Sequence, residues 1–286
     1  MMLKELLKIL FRYKYSLNVI KRYKASNICN MMGVNDLKRE IPIIVSMSAK
    51  EEDFDELELS LYSIFEQTVM PDRVILWLSK EYELSELPYS ITRYIKNGLE
   101  IKFIEDKGSY NKIIYALKDF SNSILVTANT NFYYPKDWLK KLYHSYISAP
   151  NDIHVHQAKI IKSNNKLVLP MKTWCKNQEE NSSYKNFPIQ GAGVLYPPKC
   201  FSIEVFREDI YEKKINADWK VWSWFMALVS GRKIRIVKNH IKRLDCVNLS
   251  KQIKKDILSY KNIDNIDTQI SGLMKYYSQN LISKLK

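Results

Sequence analysis

The chain has 286 residues, 46% of them apolar and 12% aromatic, which is enough for a packed core and argues against disorder. Its 45 Lys and Arg against 31 Asp and Glu give a net charge of +14, so the expected partners are anionic; with no zinc-finger or RNA-binding motif, nucleic acid is not among them. No apolar run reaches the ~18 residues of a membrane span, and the N-terminus lacks the cleavage pattern of a signal peptide.

Residues 1–24 predict a basic amphipathic helix within an N-terminal segment of residues 1–40. Leu3, Leu6, Leu7 and Leu10 recur at helical spacing, Phe11, Leu17 and Ile20 extend the face, and seven Lys and Arg oppose one Glu. Such a helix lies in an anionic membrane interface or packs on the body or a partner.

The body is expected over residues 41–245. "IPIIVSMS", "PDRVILWLS", "LEIKFIED" and "SILVTANT" read as buried strands, separated by the helical patterns "DFDELELSLYSIFEQT" and "YNKIIYALKDF". Strands alternating with helices predict an α/β fold with a parallel sheet, whose ligands bind at the carboxyl ends of the strands. Those ends are Ser46–Ser48, Ser79, Glu105–Asp106 and Asn129–Asn131. Further on, "KDWLKKLYHSYIS" predicts a helix, "DIHVHQAKII" and "NKLVLPM" strands, and "QGAGVLYPP" a glycine turn into a strand. "DWKVWSWFMALVSG" predicts an apolar helix stopped at Gly231, and "RKIRIVK" a short strand. Residues 246–286 read as a polar helical extension. The cysteines, Cys29, Cys175, Cys200 and Cys246, lack metal-ligand or redox spacing and read as free thiols.

The order of these pieces over about residues 41–245 resembles the nucleotide-sugar-dependent glycosyltransferases of the GT-A fold, in the family-2-like bacterial group that builds surface glycans. "LSLYSIFEQTVMPDRVILWLS" is similar to that group's first helix and second strand. "EDKGSYNKIIYAL" resembles its nucleotide-side segment, "ILVTANTNFYYPKDWLKKL" the strand ending in its acidic motif, and "GAGVLYPP" its acceptor-side glycine loop. The resemblance implies a GT-A-like mixed sheet flanked by helices, a nucleotide-sugar donor and a glycan or glycolipid acceptor. It further implies donor contacts at Ser46, Asp106, Lys112, Asn129 and Asn131, acceptor contacts at Gly191, Gly193 and Trp222, and Asp218 as catalytic base.

Two departures qualify it. Where the family carries aspartates that hold a divalent metal, this chain has Asn129, Thr130 and Asn131; where it carries paired acids before the tryptophan helix, only Asp218 survives, beside Trp219 and Lys220. Asparagine is a poor ligand for hard cations, so no cofactor is expected: Mn²⁺ or Mg²⁺ would arrive only with the nucleotide. The leaving diphosphate still needs positive charge. Lys112 is the first candidate to supply it, with Lys220 and the cations between Arg232 and Arg243 behind it. His154 and His156 share a strand face, either as a metal pair or as exposed polar side chains, and His240 is a further metal candidate by resemblance. The sequence thus supports a metal-independent glycosyltransferase, peripheral to the cytoplasmic face of the membrane; the alternative is a catalytically silent GT-A-like domain that binds a partner.

Overall fold

The computed structural model describes residues 21, 23, 33–164, 167–242, 244–248, 263–277 and 280–285. The N-terminal helix expected over residues 1–24 lies almost wholly outside them, as do Cys29, Arg243 and residues 249–262.

Four strands, β1 (Ile43–Ser48), β2 (Arg73–Ser79), β3 (Leu99–Ile104) and β4 (Ile124–Thr127), pair in parallel in the order β3-β2-β1-β4. The near-continuous apolar runs of β1, β2 and β4 arise because both faces of the sheet are covered there, whereas β3, expected as a buried strand, is the edge strand and buries only Leu99 and Ile104. Alternate residues divide between two cores. Ile43, Val45, Leu76 and Val126 pack under helices α1 (Phe54–Phe65) and α3 (Trp138–Ser148) through Leu57, Leu61, Trp138 and Leu142. Ile44, Ile75, Trp77 and Leu125 face α2 (Asn111–Asp119), α4 (Trp219–Val229) and α5 (Ile263–Tyr277).

The remaining strands are β5 (Phe132–Tyr133), β6 (Ile153–Val155), β7 (Ala158–Ile160), β8 (Cys175–Asn177), β9 (Ser182–Ser183), β10 (Asn186–Pro188), β11 (Val194–Tyr196), β12 (Ile234–Ile236) and β13 (Asp245–Cys246). The main sheet continues from β4 through β11, β6, β12 and β9. β11 is antiparallel to both β4 and β6, and β12 is parallel to β6. The carboxyl ends of β1–β4, β6 and β12 therefore share one edge. This is the mixed GT-A-type sheet that the resemblance implied.

Two sequence expectations need correction. "DIHVHQAKII" is not one strand: it breaks at His156–Gln157 into β6 of the main sheet and β7 of a small sheet with β8 and β10. Among the described residues of "NKLVLPM", the pairing is an isolated bridge, Ser163 to Val168. The helix ending at Gly231 forms as expected, with Gly231 at φ 67°. Helix α5 is polar on one side only; Ile266, Ile270 and Leu273, at i, i+4 and i+7, join the same core as α4.

Candidate active site

Lys112 stands in the first turn of α2, and its ammonium donates to Asn129 Oδ1 at the carboxyl end of β4. Burial draws the Lys112 pKa down to about 8, opposed by the negative charges of Asp218 and, less, Asp53. One amine is thus held between the β4 loop and the start of α4.

The loop itself is rigid. Asn129 N–H donates to the Tyr134 hydroxyl at 2.8 Å, and that hydroxyl donates to the Gly191 carbonyl at 3.1 Å. Ser60, on α1, hydrogen-bonds the Thr130 carbonyl and reaches the Phe132 carbonyl at 2.7 Å. Val247 N–H donates to the Asn131 carbonyl at 3.0 Å. Asn131 itself is buried.

The other expected site residues divide. Ser46 is buried, donates to the Lys112 carbonyl and accepts from Trp77 Nε1 at 2.8 Å; its hydroxyl holds Lys112 in place and does not face a ligand. Asp106 turns the chain into α2, its Oδ1 accepting from Gly108 N–H at 2.8 Å and Asn111 Nδ2 at 2.7 Å, with Lys50 3.3 Å from Oδ2. These contacts, the Gly108 bond above all, lower its pKa. Asp218 caps α4, accepting from Lys220 N–H at 3.0 Å, with Lys220 Nζ 3.8 Å from its other oxygen.

Of the expected acceptor residues, Trp222 is turned away from the site, and Gly191 and Gly193 are closely packed. Trp222 is fully buried, its indole donating to the Val205 carbonyl at 2.9 Å, because helical spacing turns it into the core. Gly193, at φ 93°, lies so close to Trp138 that a Cβ there would sit 2.5 Å from Cζ2. A Cβ on Gly191 would meet Phe132 at 2.6 Å. Of the expected reserve cations, Lys220 lies at the site. Arg232 and Arg235 instead lie toward the opposite edge, on Asn151 at 3.0 Å and Asp152 at 2.9 Å, because they precede or enter a strand parallel to β6.

His154 and His156 do share a face, but both are fully buried rather than exposed, because β6 is interior to the sheet and covered by α3. His154 is bonded to Ser145 at 2.9 Å and the Ala149 carbonyl at 3.0 Å. His156 donates from Nε2 to the Trp138 carbonyl at 3.0 Å and accepts from Ile241 N–H at 3.2 Å. With both ring nitrogens engaged, neither has a lone pair for a metal.

The β4 loop does not suit a hard divalent cation either. Its side chains are neutral, and the Asn129 oxygen that stands where a carboxylate would bind metal is already taken by an ammonium. Among the described residues, no three His, Cys, Asp or Glu side chains gather as a metal cluster.

Beyond Asp218 opens a cavity of about 420 Å³, lined among others by Asp106, Tyr110, Glu212, Asp218, Asn265 and Gln269. That is within the ~300–1,000 Å³ of small-molecule sites. Tyr110 and Tyr211 stack at 4.1 Å on its wall, and the Tyr110 hydroxyl donates to the Ala217 carbonyl at 2.6 Å. Sequence reasoning missed Ser60, Tyr134 and Gln269. "FYYP" at the end of the loop signals Tyr134; nothing local signals the other two.

No protein-family model matches the chain, and no curated protein matches it significantly. Solved structures with similar folds include a 4-diphosphocytidyl-2C-methyl-D-erythritol synthase, with TM-score 0.46 and 9% identity over 77% of this chain and 99% of that one. Another is the mannosyltransferase PcManGT from Pyrobaculum calidifontis in complex with GDP-Man and Mn²⁺, with TM-score 0.45 and 13% identity over 93% of this chain and 83% of that one. A third is a CMP:2-keto-3-deoxy-manno-octonic acid synthetase complexed with CTP, with TM-score 0.41 and 6% identity over 77% of this chain and 98% of that one. These overlaps are loose, and the site stands on the geometry of this chain.

Proposed function

We propose that this chain is a nucleotide-sugar-dependent glycosyltransferase that meets the donor diphosphate with Lys112 in place of a protein-bound metal. The observation that carries the reading is the Lys112–Asn129 pair: a desolvated ammonium fixed at the carboxyl edge of a parallel sheet, where α/β folds bind ligands. In transfer, an acceptor oxygen bonds to the sugar's anomeric carbon as the bond from that carbon to the diphosphate oxygen breaks. The leaving electron pair adds charge to the diphosphate, and Lys112 is placed to stabilise it. Asp218, close enough to Lys112 to act on its charge, takes the acceptor hydroxyl proton. Any Mn²⁺ or Mg²⁺ travels with the nucleotide.

The acceptor we propose is a surface glycan or its lipid-linked precursor, reached at the cytoplasmic face of an anionic membrane. The +14 charge supports that location, and no helix among the described residues is long and apolar enough to cross a membrane. Deleting residues 1–24 should abolish binding to anionic vesicles and spare the fold.

The capping bond of Asp218 favours a second reading, a silent domain that binds nucleotide sugar without turning it over. Calorimetry with UDP- and GDP-sugars in EDTA and in Mn²⁺, followed by assays of donor hydrolysis and transfer, separates the two. Asp218→Asn keeps a good helix cap and should lower turnover at least ~100-fold. Binding that depends strictly on Mn²⁺ would defeat the metal-free reading, and binding with no turnover would select the silent one.

A further inference from the structure

The cavity beyond Asp218 is not used by the donor chemistry, and its wall is unlike the rest of this basic chain. It gathers Asp106, Glu212 and Asp218, while Lys107 on the same wall is held by Glu208 at 2.6 Å. A phosphate or carboxylate would enter against that charge.

Gln269 adds a hydrogen-bond donor to this wall. It is only 4% exposed, and its Oε1 accepts from the Asp218 N–H at 3.0 Å. A backbone N–H requires the amide oxygen as its partner, so the orientation of Gln269 is fixed by chemistry. Its NH₂ group is left on the cavity wall without a hydrogen-bond partner among the described residues. It is not one of the described side-chain atoms that are buried without a partner, so the group keeps access to the cavity, where a ligand oxygen can accept from it. The Tyr110 and Tyr211 rings offer apolar surface beside it.

We propose that this cavity is the acceptor subsite and that it takes a hydroxyl-rich sugar bearing no anionic group at the end that enters. The inference rests on the glycosyltransferase reading. A sugar oxygen accepts from Gln269 NH₂, its hydroxyls donate to Asp106 and Glu212, and the hydroxyl nearest Asp218 is the one that attacks the donor. Helix α5 then both positions Asp218 and selects the acceptor, a role that neither the glycine loop nor Trp222 performs.

Saturation-transfer NMR on the full chain, with glucose, glucosamine and glucuronate as probes and with or without UDP, tests this. Glucose and glucosamine should bind, and glucuronate at least tenfold more weakly. Gln269→Glu keeps an acceptor for the Asp218 N–H but removes the NH₂ group, and should weaken glucose at least tenfold with UDP affinity unchanged. Glu212→Gln, which leaves Gln269 in place, should narrow the gap between glucose and glucuronate. Glucuronate binding as well as glucose, or glucose binding indifferent to Gln269→Glu, would overturn the proposal. Lys112→Ala separates it from the donor reading, since it should remove UDP binding and leave sugar binding. UDP binding without sugar binding overturns the acceptor subsite alone; sugar binding in a protein that takes no nucleotide overturns the donor reading and the acceptor role with it, leaving a sugar site only.

Discussion

Raising the pH from 7 to 9 should weaken nucleoside diphosphate binding about tenfold if Lys112 is the group that meets the diphosphate. Burial sets its pKa at about 8 in the free protein. At pH 7 roughly nine-tenths of the molecules carry the charge, and at pH 9 roughly one-tenth. A bound diphosphate favours the charged amine and restores its pKa toward the ordinary ~10.4. Binding therefore takes up a proton across this window: affinity is full below the free pKa and is lost as pH rises above it. The last phosphate ionisation, near ~6, falls below the window and leaves the slope intact. Calorimetry with UDP and GDP in EDTA, in two buffers of different ionisation enthalpy, measures affinity and proton uptake together. Lys112→Met should bind more than tenfold more weakly at pH 7, about 1.4 kcal/mol, and show no slope between pH 7 and 9. The same slope in the Met variant would refute the assignment, because another group would then be titrating.

Lys112→Met should also stabilise the fold at pH 7. The fall from 10.5 to about 8 corresponds to about 3 kcal/mol against the charged form; residual solvent contact and the lost bond to Asn129 reduce the net gain to about 1–2 kcal/mol. The gain should fade as pH rises from about 8 to 10.5, where the wild type sheds its proton, and urea titrations at pH 7 and 10 check it. His154 and His156, pushed down to about 4 and about 3 by burial, stay neutral while the unfolded chain takes up protons below ~6.5. Stability should therefore fall by about 4 kcal/mol between pH 7 and 5, read as a lower urea midpoint. Gly193→Ala places a Cβ against Trp138 at a left-handed φ and should cost at least about 2 kcal/mol in thermal unfolding. Trp222→Ala should cost about 3–5 kcal/mol and leave the substrate preference of any soluble protein unchanged.

The fold was legible because β1, β2 and β4 are buried on both faces and read as apolar runs between helical periods; β3, at the sheet edge, alternates instead. Lys112 and Asn129 were each expected at the donor site from the resemblance, but the bond between them was not, because it joins the start of the helix before β4 to the loop after that strand. Side-chain allegiance was not. Ser46 lies near the carboxyl end of β1, as a ligand-binding serine would, yet its partners Lys112 and Trp77 lie 66 and 31 residues away. His154 and His156 alternate on a strand whether that strand is exposed or interior; only the closure of β11 and β12 around β6 decides it. Gln269 sits in a helix whose sequence reads as polar surface, and its importance comes from Asp218, 51 residues earlier.

The docking of α5 has a consequence for how the chain comes to function. Ile266, Ile270, Leu273, Leu281 and Leu285 complete the core above α4, and Lys284 and Tyr277 tie this segment to Leu228 and Glu204. A growing polypeptide makes the carboxyl edge of β1–β4 early and covers this core only once residues 263–285 have emerged. Until residues 263–285 emerge, the tryptophan-rich helix lacks its cover, Asp218 lacks the amide that orients it, and apolar surface is open to chaperones and proteases. A chain cut before residue 263 should therefore leave α4 uncovered and unfold at a lower temperature than the full sequence.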